Sequence, residues 1–428
     1  MLTLVTIIHS FIFLFGIYFL FIAAAGIFNR CRYREHAPRL HFAIIVPAHN
    51  EEKVIGKVVD NLKELDYPGH LYDIYVVADH CSDNTAQVAR ARGAVVWERS
   101  GGERGKGRSL GEIMAGLGFT APYPTVAKTT EAHLVSAKPY DAAVIIDADN
   151  LVAANFLRVM NNRLLGGEKL VQCYIDAKNP DDNWVTSVSS INFWLNNRFI
   201  LQARYNLGLS TLTAGTGVCI SREVLEKTGW STKTITEDLE FAVQALLQGY
   251  RATFARETRV YDEKPLEFTA ACWQRLRWAR GQLNVARLYA LRLLFRGLTE
   301  GDPARLEGGL RMLQLPVIGA GTVLTLLAPL LPELFRDTSP YYRLGQQFPQ
   351  LTFFFAAVPF LLPLLALFLD RLPLKPFRYF FFYPFFYLSW IALIIYAIFT
   401  FRQQIWVPNQ RRSLDHRLIF RQQFFTKP

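Results

Sequence analysis

Uncharged stretches flank a polar middle segment in this sequence. Residues 1–28 contain no Asp, Glu, Lys or Arg, and further apolar stretches occupy 310–331, 351–369 and 379–401. A helix of about 20 apolar residues spans the core of a bilayer. The pattern therefore predicts an N-terminal transmembrane helix over 1–28 and a C-terminal transmembrane region of about three segments over 310–401.

The charges beside these stretches predict an orientation in the membrane. The basic sequence RCRYR follows the first stretch, whereas a secretory signal has its basic residues in front and a shorter apolar part. By the positive-inside rule, the domain that follows is expected on the cytoplasmic side. The tail 402–428, with six Lys or Arg and one Asp, conflicts with three C-terminal crossings. Either one C-terminal segment is re-entrant or interfacial, or the rule fails here.

The polar segment shows strands that alternate with helices. The segments 41–52 and 73–94 each combine a strand-forming run with a helix start, AVVWER at 94–99 precedes another helix, and DAAVIIDADN at 141–150 is a fourth strand. Such alternation predicts a mostly parallel sheet covered by helices on both faces. We therefore expect a water-soluble α/β domain between about 36 and 309, with the strict alternation fading after residue 150.

Composition narrows the class of protein further. The chain has 428 residues, 51% of them hydrophobic, and 47 Lys and Arg against 36 Asp and Glu. Because the basic residues cluster beside the apolar stretches, membrane lipids are the expected counter-charge and nucleic acid is not. The five cysteines lie far apart without metal-ligand spacing. Their odd number argues against a disulfide framework, as expected in a reducing cytosol.

Carboxylates follow several strands of the predicted sheet. Asp147 and Asp149 end the fourth strand, and Glu51 and Asp79 follow the first and second. The carboxyl ends of parallel strands gather ligands at one edge of the sheet. Mg²⁺ or Mn²⁺ binds such a site through one or two carboxylates, substrate phosphates and water. The alternatives are an acidic turn for the pair, a turn or helix cap for Asp79, and a first-turn acid for Glu51.

A glycine-rich basic loop, SGGERGKGRS at 100–109, precedes the third helix. It misses the first Gly and the final hydroxyl of a nucleotide-binding P-loop. Arg104 and Lys106 could still reach a diphosphate, and a solvated loop is the alternative.

Two later segments have both a structural and a chemical interpretation. In TITEDLEF, Thr234 and Glu237 fit a capping box, which would leave Asp238 as a neighbour favoured by the helix dipole. The segment 271–295, which contains ACWQRLRW, fits an interfacial helix with Arg toward lipid headgroups and Trp at the boundary.

Seven short segments occur in order between about 40 and 300: PAHNEE, ADHCSDNT, RGKG, DADN, TAGTG, TED and QRLRW. In this order they resemble the membrane-embedded family 2 glycosyltransferases, the group with cellulose, hyaluronan and poly-N-acetylglucosamine synthases. The resemblance implies a GT-A fold, with a Rossmann-like mixed sheet in a cytosolic domain over 36–270. Interfacial helices over 271–300 and a basic tail over 402–428 complete the implied organisation.

The resemblance also implies an inverting transfer from a nucleotide sugar, with Mg²⁺ or Mn²⁺ as cofactor. Position by position it implies these roles: Asp238 as general base; Glu51, Asp79, Lys106, Asp147 and Arg277 as donor-binding residues; Asp147 and Asp149 as metal ligands; and Trp278, Gln274 and Glu237 on the acceptor side. Among the donor-binding residues, Asp79 would contact the nucleotide base, and Lys106 and Arg277 the diphosphate.

Three functions stay open at this point. A processive synthase that extends a β-linked glycan is slightly favoured because TED and QRLRW occur together. Transfer of one sugar to a lipid acceptor is the second, and a non-catalytic nucleotide-binding membrane protein is the third. In each case we expect an integral protein of the cell inner membrane, with UDP as the donor nucleotide by association. Homo-oligomer formation is left open.

Overall fold

The protein folds into two compact units. The computed structural model describes residues 2–29, 34–121 and 139–403. Within these ranges the sheet unit contains residues 34–121, 139–178 and 210–264, and the helical unit contains 2–29, 179–209 and 265–403. Cys31 and the basic tail from 404 onward lie outside the described residues.

Eight strands and sixteen helices are assigned in the described part of the chain. The strands are β1 Phe42–Ala48, β2 Tyr72–Asp79, β3 Val95–Arg99, β4 Ala142–Ile145, β5 Leu151–Val152, β6 Leu170–Ala177, β7 Val218–Ser221 and β8 Ala252–Asp262. The helices are α1 Leu2–Ala24, α2 Ile55–Lys63, α3 Thr85–Ala91, α4 Lys106–Gly116, α5 Phe156–Leu165, α6 Trp184–Asn196, α7 Ala203–Asn206, α8 Arg222–Thr228, α9 Glu237–Leu247, α10 Phe268–Thr299, α11 Pro303–Met312, α12 Gln314–Leu327, α13 Pro332–Thr338, α14 Pro340–Gln347, α15 Pro349–Asp370 and α16 Tyr383–Thr400.

All eight strands form one sheet in the order β3-β2-β1-β4-β7-β6-β8-β5. The four strands from β3 to β4 are parallel, as predicted from the alternation of strands and helices. The second half is mixed, because β7 runs antiparallel to both β4 and β6, and β5 runs antiparallel to β8. This is the half in which the sequence pattern loses its alternation.

The central strands are buried on both faces. In β1, FAIIVPA, six of the seven residues are buried, which explains why a parallel strand in this position reads as a continuous apolar run. On one face, Ile45, Val77 and Val218 share a core with Ile113 of α4 and Phe241 of α9. This core holds α4 and α9 against the sheet, and the first turns of both helices carry predicted site residues.

The helical unit contains the apolar stretches of the sequence. Among the described residues, three helices are long and apolar enough to cross a membrane, namely Thr3–Ile27, Pro349–Asp370 and Lys375–Thr400. The predicted stretch 310–331 belongs to a pair of helices, Pro303–Met312 and Gln314–Leu330, which meet at a 44° bend. Together they would make a fourth, broken crossing.

Residues 179–209 pack within the helical unit rather than with the sheet, so the sheet unit is interrupted inside the predicted segment 36–270. A π-helical segment, Asn197–Gln202, joins α6 and α7. Its Arg198 is buried and ion-paired with Asp370 at 2.8 Å, and it donates to the carbonyl of Ile27 at 2.7 Å. The segment therefore links the ends of two candidate membrane helices, a long-range contact for which the local sequence gives no signal.

Candidate active site

The parallel half of the sheet creates a position where side chains converge. Strand order reverses between β1 and β4, and α/β sheets bind ligands outside the carboxyl ends of their strands at such a reversal. Glu51 follows β1, Asp79 is the last residue of β2, and Asp147 follows β4. The sequence-based expectation that these strand ends share one edge of the sheet is met by the parallel pairing of β1 with β2 and β4.

Lys106 joins three separate segments at this edge. It is the first residue of α4, and its Nζ lies 2.5 Å from Asp147 Oδ1, 2.7 Å from the carbonyl oxygen of Gly215 and 3.6 Å from Glu237 Oε1. Burial lowers the pKa of Lys106, but the neighbouring carboxylates, Asp147 first, raise it by more, so the pKa is raised overall. The ammonium group therefore stays charged across the neutral pH range.

Asp238 lies against the same glycine. A Cβ built on Gly215 would be 3.1 Å from Asp238 Oδ2 and 3.4 Å from Lys106 Nζ. Gly215 has φ +79°, a left-handed conformation that costs glycine little. The peptide of Asp238 is held in turn, because the Thr213 hydroxyl donates to its carbonyl oxygen at 2.8 Å. Lys106, Asp147, Glu237 and Asp238 thus come together around the TAGTG loop.

The capping box proposed for Thr234 and Glu237 does not form. Helix α9 begins at Glu237 with Thr236 at the N-cap position, and no side chain caps it there. The chain before the helix is held by Glu240 instead, whose Oε2 accepts the backbone amides of Lys233 at 2.8 Å and Thr234 at 2.7 Å. Thr234 and Glu237 are residue types that a capping box requires. The acceptor of the backbone amides is nevertheless Glu240, three residues after Glu237. Asp238 lies in the first turn of α9, where the helix dipole favours an acid, and its role as general base stays a prediction.

A small, partly open pocket lies beside this cluster. Its polar lining comes from Thr213, Glu237 and Asp238, and the rest is apolar or aromatic: Leu110, Ile145, Gly215, Val218, Ile220, Trp230 and Phe241. The Trp230 indole donates to the carbonyl of Gly107 at 2.8 Å and so fixes the turn that follows Lys106. Glu237 and Asp238 therefore border a largely apolar pocket.

Asp79 is the centre of a second polar cluster. Its Oδ1 accepts from the guanidinium of Arg99 at 2.7 Å and lies 2.7 Å from His80 Nδ1, and its Oδ2 accepts the backbone amide of Gly105 at 3.0 Å. Arg99 is also paired with Glu112 at 2.9 Å. Asp79 is only 5% exposed. In the structure it anchors the glycine-rich loop, and its predicted contact with a nucleotide base stays a prediction.

Asp147 and Asp149 are half-buried, whereas the two residues beside them, Ala148 and Asn150, are buried. The hydroxyl of Thr216 accepts the amide of Asp147 at 3.2 Å and the side-chain amide of Asn150 at 2.8 Å. The backbone of the acidic pair is therefore fixed while its carboxylates reach the surface.

Carboxylate oxygens such as those of Asp147 and Asp149 are the type of ligand that Mg²⁺ or Mn²⁺ prefers. No group of three or more His, Cys, Asp or Glu side chains suited to a metal is found among the described residues. Mg²⁺ needs no such group, since it takes one or two carboxylates and fills its octahedron with phosphate oxygens and water. The ammonium of Lys106 in contact with Asp147 shows that this position attracts a cation.

The remaining predicted residues belong to the helical unit. Gln274, Arg277 and Trp278 lie on α10 at spacings of three and four residues, so they share one face of the helix. The ring of Trp278 meets Phe193 of α6 edge to face, with centroids 5.9 Å apart. The ten predicted residues therefore divide between the units: seven lie on the sheet unit, where Lys106, Asp147, Glu237 and Asp238 come together, and three lie on α10.

Three residues of the sheet unit contact predicted site residues but were not identified from the sequence. Gly215 and Thr213 lie in the TAGTG segment, where the paired glycines were a signal of an unusual backbone. Arg99 had no such signal, because an arginine at the end of a strand normally points to solvent, and here its side chain is fully buried between Asp79 and Glu112.

Comparison with known proteins identifies the family. Residues 38–281, more than half of the chain, match the family described as "Glycosyltransferase like family 2". The chain belongs to this family. The resemblance inferred from the ordered segments is therefore confirmed.

Curated relatives of this family 2 protein are named for different products. A "Beta-monoglucosyldiacylglycerol synthase" from Synechocystis sp. is 27% identical over 251 residues, which cover 57% of this chain and 48% of the relative. A "Probable glucomannan 4-beta-mannosyltransferase 14" from Arabidopsis thaliana is 24% identical, over 59% of this chain and 46% of the relative. The chain spans about half the length of these relatives.

A solved structure shows the same fold. The "Mannosyltransferase PcManGT from Pyrobaculum calidifontis in complex with GDP-Man and Mn2+" superposes with a TM-score of 0.50 at 18% identity, covering 86% of this chain and 97% of the other. The predicted fold class, a GT-A mixed sheet flanked by helices long enough to cross a membrane, is confirmed.

Proposed function

We propose that the protein is a membrane-bound inverting glycosyltransferase that moves a sugar from a nucleoside-diphosphate sugar to an acceptor hydroxyl and forms a β-linkage. The observation that carries the proposal is the cluster around Gly215. It combines the charged ammonium group of Lys106 with the carboxylates of Asp147 and Asp238, and the three side chains come from separate segments of the chain.

Asp238 is the general base of this proposal. A sugar or lipid hydroxyl is a weak nucleophile until its proton is accepted by a carboxylate within hydrogen-bond reach. As the proton moves to Asp238, the hydroxyl oxygen forms a bond to the anomeric carbon, and the bond from that carbon to the diphosphate breaks. The electron pair leaves with the diphosphate. Attack from the face opposite the leaving group converts an α-linked donor into a β-linked product.

The leaving diphosphate gains negative charge during this step. Lys106, fixed by Asp147 and Gly215, is placed to attract that charge from the start of α4, where the helix dipole also favours an anion. Asp147 and Asp149 would hold Mg²⁺ or Mn²⁺, and the bound ion supplies further positive charge to the diphosphate. Arg277 is the second proposed cationic contact.

We propose that Gln274 and Trp278 of α10 bind the acceptor. Gln274 and Trp278 share one helix face, and an indole offers a flat apolar surface against a sugar or glycerol group. Glu237, the first residue of α9, is proposed to bind an acceptor hydroxyl beside the base. Glu51 and Asp79 are proposed to lie near the nucleotide base.

A lipid hydroxyl is the acceptor that the relatives favour. The Synechocystis relative is named as a synthase of a glucosyl lipid, and the helical unit provides three candidate membrane spans. We therefore propose transfer of one sugar from a UDP-sugar at the cytoplasmic leaflet of the inner membrane. Synthesis of a β-linked polymer is the second candidate, because another relative is named as a glucomannan mannosyltransferase. A ladder of products on sizing would favour the polymer over the lipid.

Replacement of the proposed base tests the function. In a panel of nucleotide sugars, the native protein should release nucleoside diphosphate and glycosylate the acceptor with at least one donor. Asp238→Asn should lower transfer about 1,000-fold or more and leave donor affinity within about threefold.

Asp60→Asn is the matched control, because Asp60 pairs with Arg92 on the surface of the same unit. It should transfer like the native protein. Native turnover by Asp238→Asn would reject Asp238 as the base.

A further inference from the structure

Arg275 stands between the motif residues Gln274 and Arg277 and is buried in the interior of the helical unit. Its side chain is 2% exposed. It is enclosed by aromatic rings, with its guanidinium carbon 4.0 Å from the ring centroid of Phe386, 5.4 Å from Trp390 and 5.6 Å from Phe268. A guanidinium group over an aromatic face is attracted by the ring quadrupole, and more strongly when water is excluded.

The nitrogens of this guanidinium also have hydrogen-bond acceptors. Nη1 donates to the carbonyl of Phe386 at 3.1 Å and to the hydroxyl of Ser389 at 2.8 Å. Nε donates to the carbonyl of Ala271 at 3.0 Å, and Nη2 lies 3.2 Å from the thiol of Cys272. Within the described part of the chain, no carboxylate pairs with Arg275. The guanidinium charge is therefore stabilised by aromatic rings, carbonyl oxygens and a hydroxyl. The ammonium group of a lysine could not make all of these contacts, because it lacks the planar fork of arginine.

Two of these partners, Phe386 and Ser389, belong to α16, whereas Arg275 belongs to α10. The same two helices are joined again further along, where Arg280 donates to Thr400 at 2.9 Å and Asn284 donates to the carbonyl of Phe401 at 2.7 Å. Apolar residues of α10 and α16 pack between these polar contacts. Arg275 makes its contact near the N-terminal end of α10, and this end carries the QRLRW segment.

The rotation of α10 about its axis decides where the motif side chains point. Gln274, Arg277 and Trp278 are one, two and three positions from Arg275. Because a helix with side chains is about 5–6 Å in radius, a rotation of about 30° moves an outer atom by roughly 3 Å. A displacement of 1 Å in a catalytic constellation can lower turnover about 100-fold. A rigid contact at Arg275 would therefore keep the motif residues in register.

We propose that Arg275 is a positioning residue, whose aromatic cage locks α10 onto the membrane helix α16 so that Gln274, Arg277 and Trp278 are held in their working orientation. The inference rests on the proposed transferase function. It assigns to the second position of the QRLRW segment a role distinct from those proposed for Gln274, Arg277 and Trp278.

Cys272 provides a reporter that does not depend on activity. Its thiol contacts Arg275, so release of the guanidinium from the cage should make the thiol more accessible to a maleimide. The measurement uses the full chain with Cys31 and Cys81 replaced by Ser, because Cys173 and Cys219 are buried. Arg292→Lys is the matched control, since Arg292 is an exposed arginine of the same helix.

We expect Arg275→Met to label Cys272 about tenfold faster, to lower kcat of transfer about 100-fold and to raise the ratio of donor hydrolysis to transfer, because water replaces a misaligned acceptor. Arg275→Lys, which keeps the charge but not the planar fork, should fall between Arg275→Met and the native protein. Arg292→Lys should match the native protein in all three measurements.

Two results would overturn the proposal. Unchanged labelling of Cys272 in Arg275→Met would show that the cage does not dock the helix. Faster labelling with native kcat and native hydrolysis ratio would show that the contact is structural only. Failure of the proposed function is distinguishable from both, because the native protein and Arg292→Lys would then also transfer no sugar.

Discussion

Gly215 occupies the point where the carboxylate of Asp238 and the ammonium of Lys106 meet. A side chain there would press on both groups and would also force a left-handed backbone on a residue that avoids it. The glycine therefore has two separable effects, one on backbone strain and one on the geometry of the site.

Replacement of Gly215 by alanine should separate these effects. We expect Gly215→Ala to lose roughly 1–2 kcal/mol of stability from the positive φ and, because the methyl group displaces Asp238 and Lys106, to lower turnover about tenfold or more. Thermal unfolding and steady-state kinetics measure the two.

Gly229→Ala is the control, because its φ is +69° and no atom lies within 4 Å of the added methyl group. It should lose stability and keep native turnover. Equal turnover in the two variants would contradict the placement of Asp238 beside Gly215.

Asp149 is proposed as a metal ligand, and nucleotide binding tests this directly. In the native protein Mn²⁺ should strengthen the binding of a nucleoside diphosphate, since ion and phosphates bind together. Asp149→Ala should lose that enhancement and keep its metal-free affinity. Asp66→Ala, which removes a surface acid paired with Arg158, should behave like the native protein. If titration calorimetry gives the same Mn²⁺ enhancement in Asp149→Ala, the metal role is wrong.

At the residue scale, the acidic positions could be predicted because strand ends in a parallel sheet are visible as apolar runs that stop at Asp or Glu. The interaction partners of these acids could not be predicted from the sequence. The burial of Arg99 beside Asp79 and the contact of Lys106 with Gly215 join residues 20 and 109 positions apart. Such pairings depend on the tertiary fold, which periodicity does not encode.

At the element scale, the start of α9 is fixed by one buried acid. Glu240 is fully buried and accepts the amides of Lys233 and Thr234 through one oxygen. Removal of a buried acceptor leaves donors unsatisfied at a cost of about 1–3 kcal/mol each. The segment that presents Glu237 and Asp238 therefore depends on an acid that makes no proposed contact with substrate.

We expect Glu240→Ala to lower the unfolding temperature by roughly 5 °C or more and to lower turnover, because the start of α9 loses its anchor. Glu240→Gln keeps an oxygen acceptor and should lose less of both. Glu226→Ala, which removes an exposed acid of α8 paired with Arg222 at 3.4 Å, should change the unfolding temperature by about 1 °C or less. A native unfolding temperature in Glu240→Ala would show that the two amides find other acceptors.

The parallel strands and the long apolar helices could be predicted at this scale because each has a strong local pattern. The antiparallel insertion of β7 and the bend between α11 and α12 have weaker patterns. β7 has four residues, and its direction is set by pairing with β4 and β6. The apolar stretch that begins at 310 gives no warning that α11 ends at Met312.

At the scale of the whole molecule, the chain combines a sheet unit that carries the acidic cluster with a helical unit that carries the QRLRW segment and the candidate membrane spans. The order of segments identified the family, while the assignment of residues 179–209 to the helical unit depends on long-range contacts such as the pair of Arg198 with Asp370.

The stereochemistry of the product tests the central claim most directly. NMR of the glycoside formed by the purified native protein from an α-linked nucleotide sugar reports the configuration of the anomeric carbon. A single displacement assisted by Asp238 predicts a β-linked product. An α-linked product would require a different chemical route and would contradict the account.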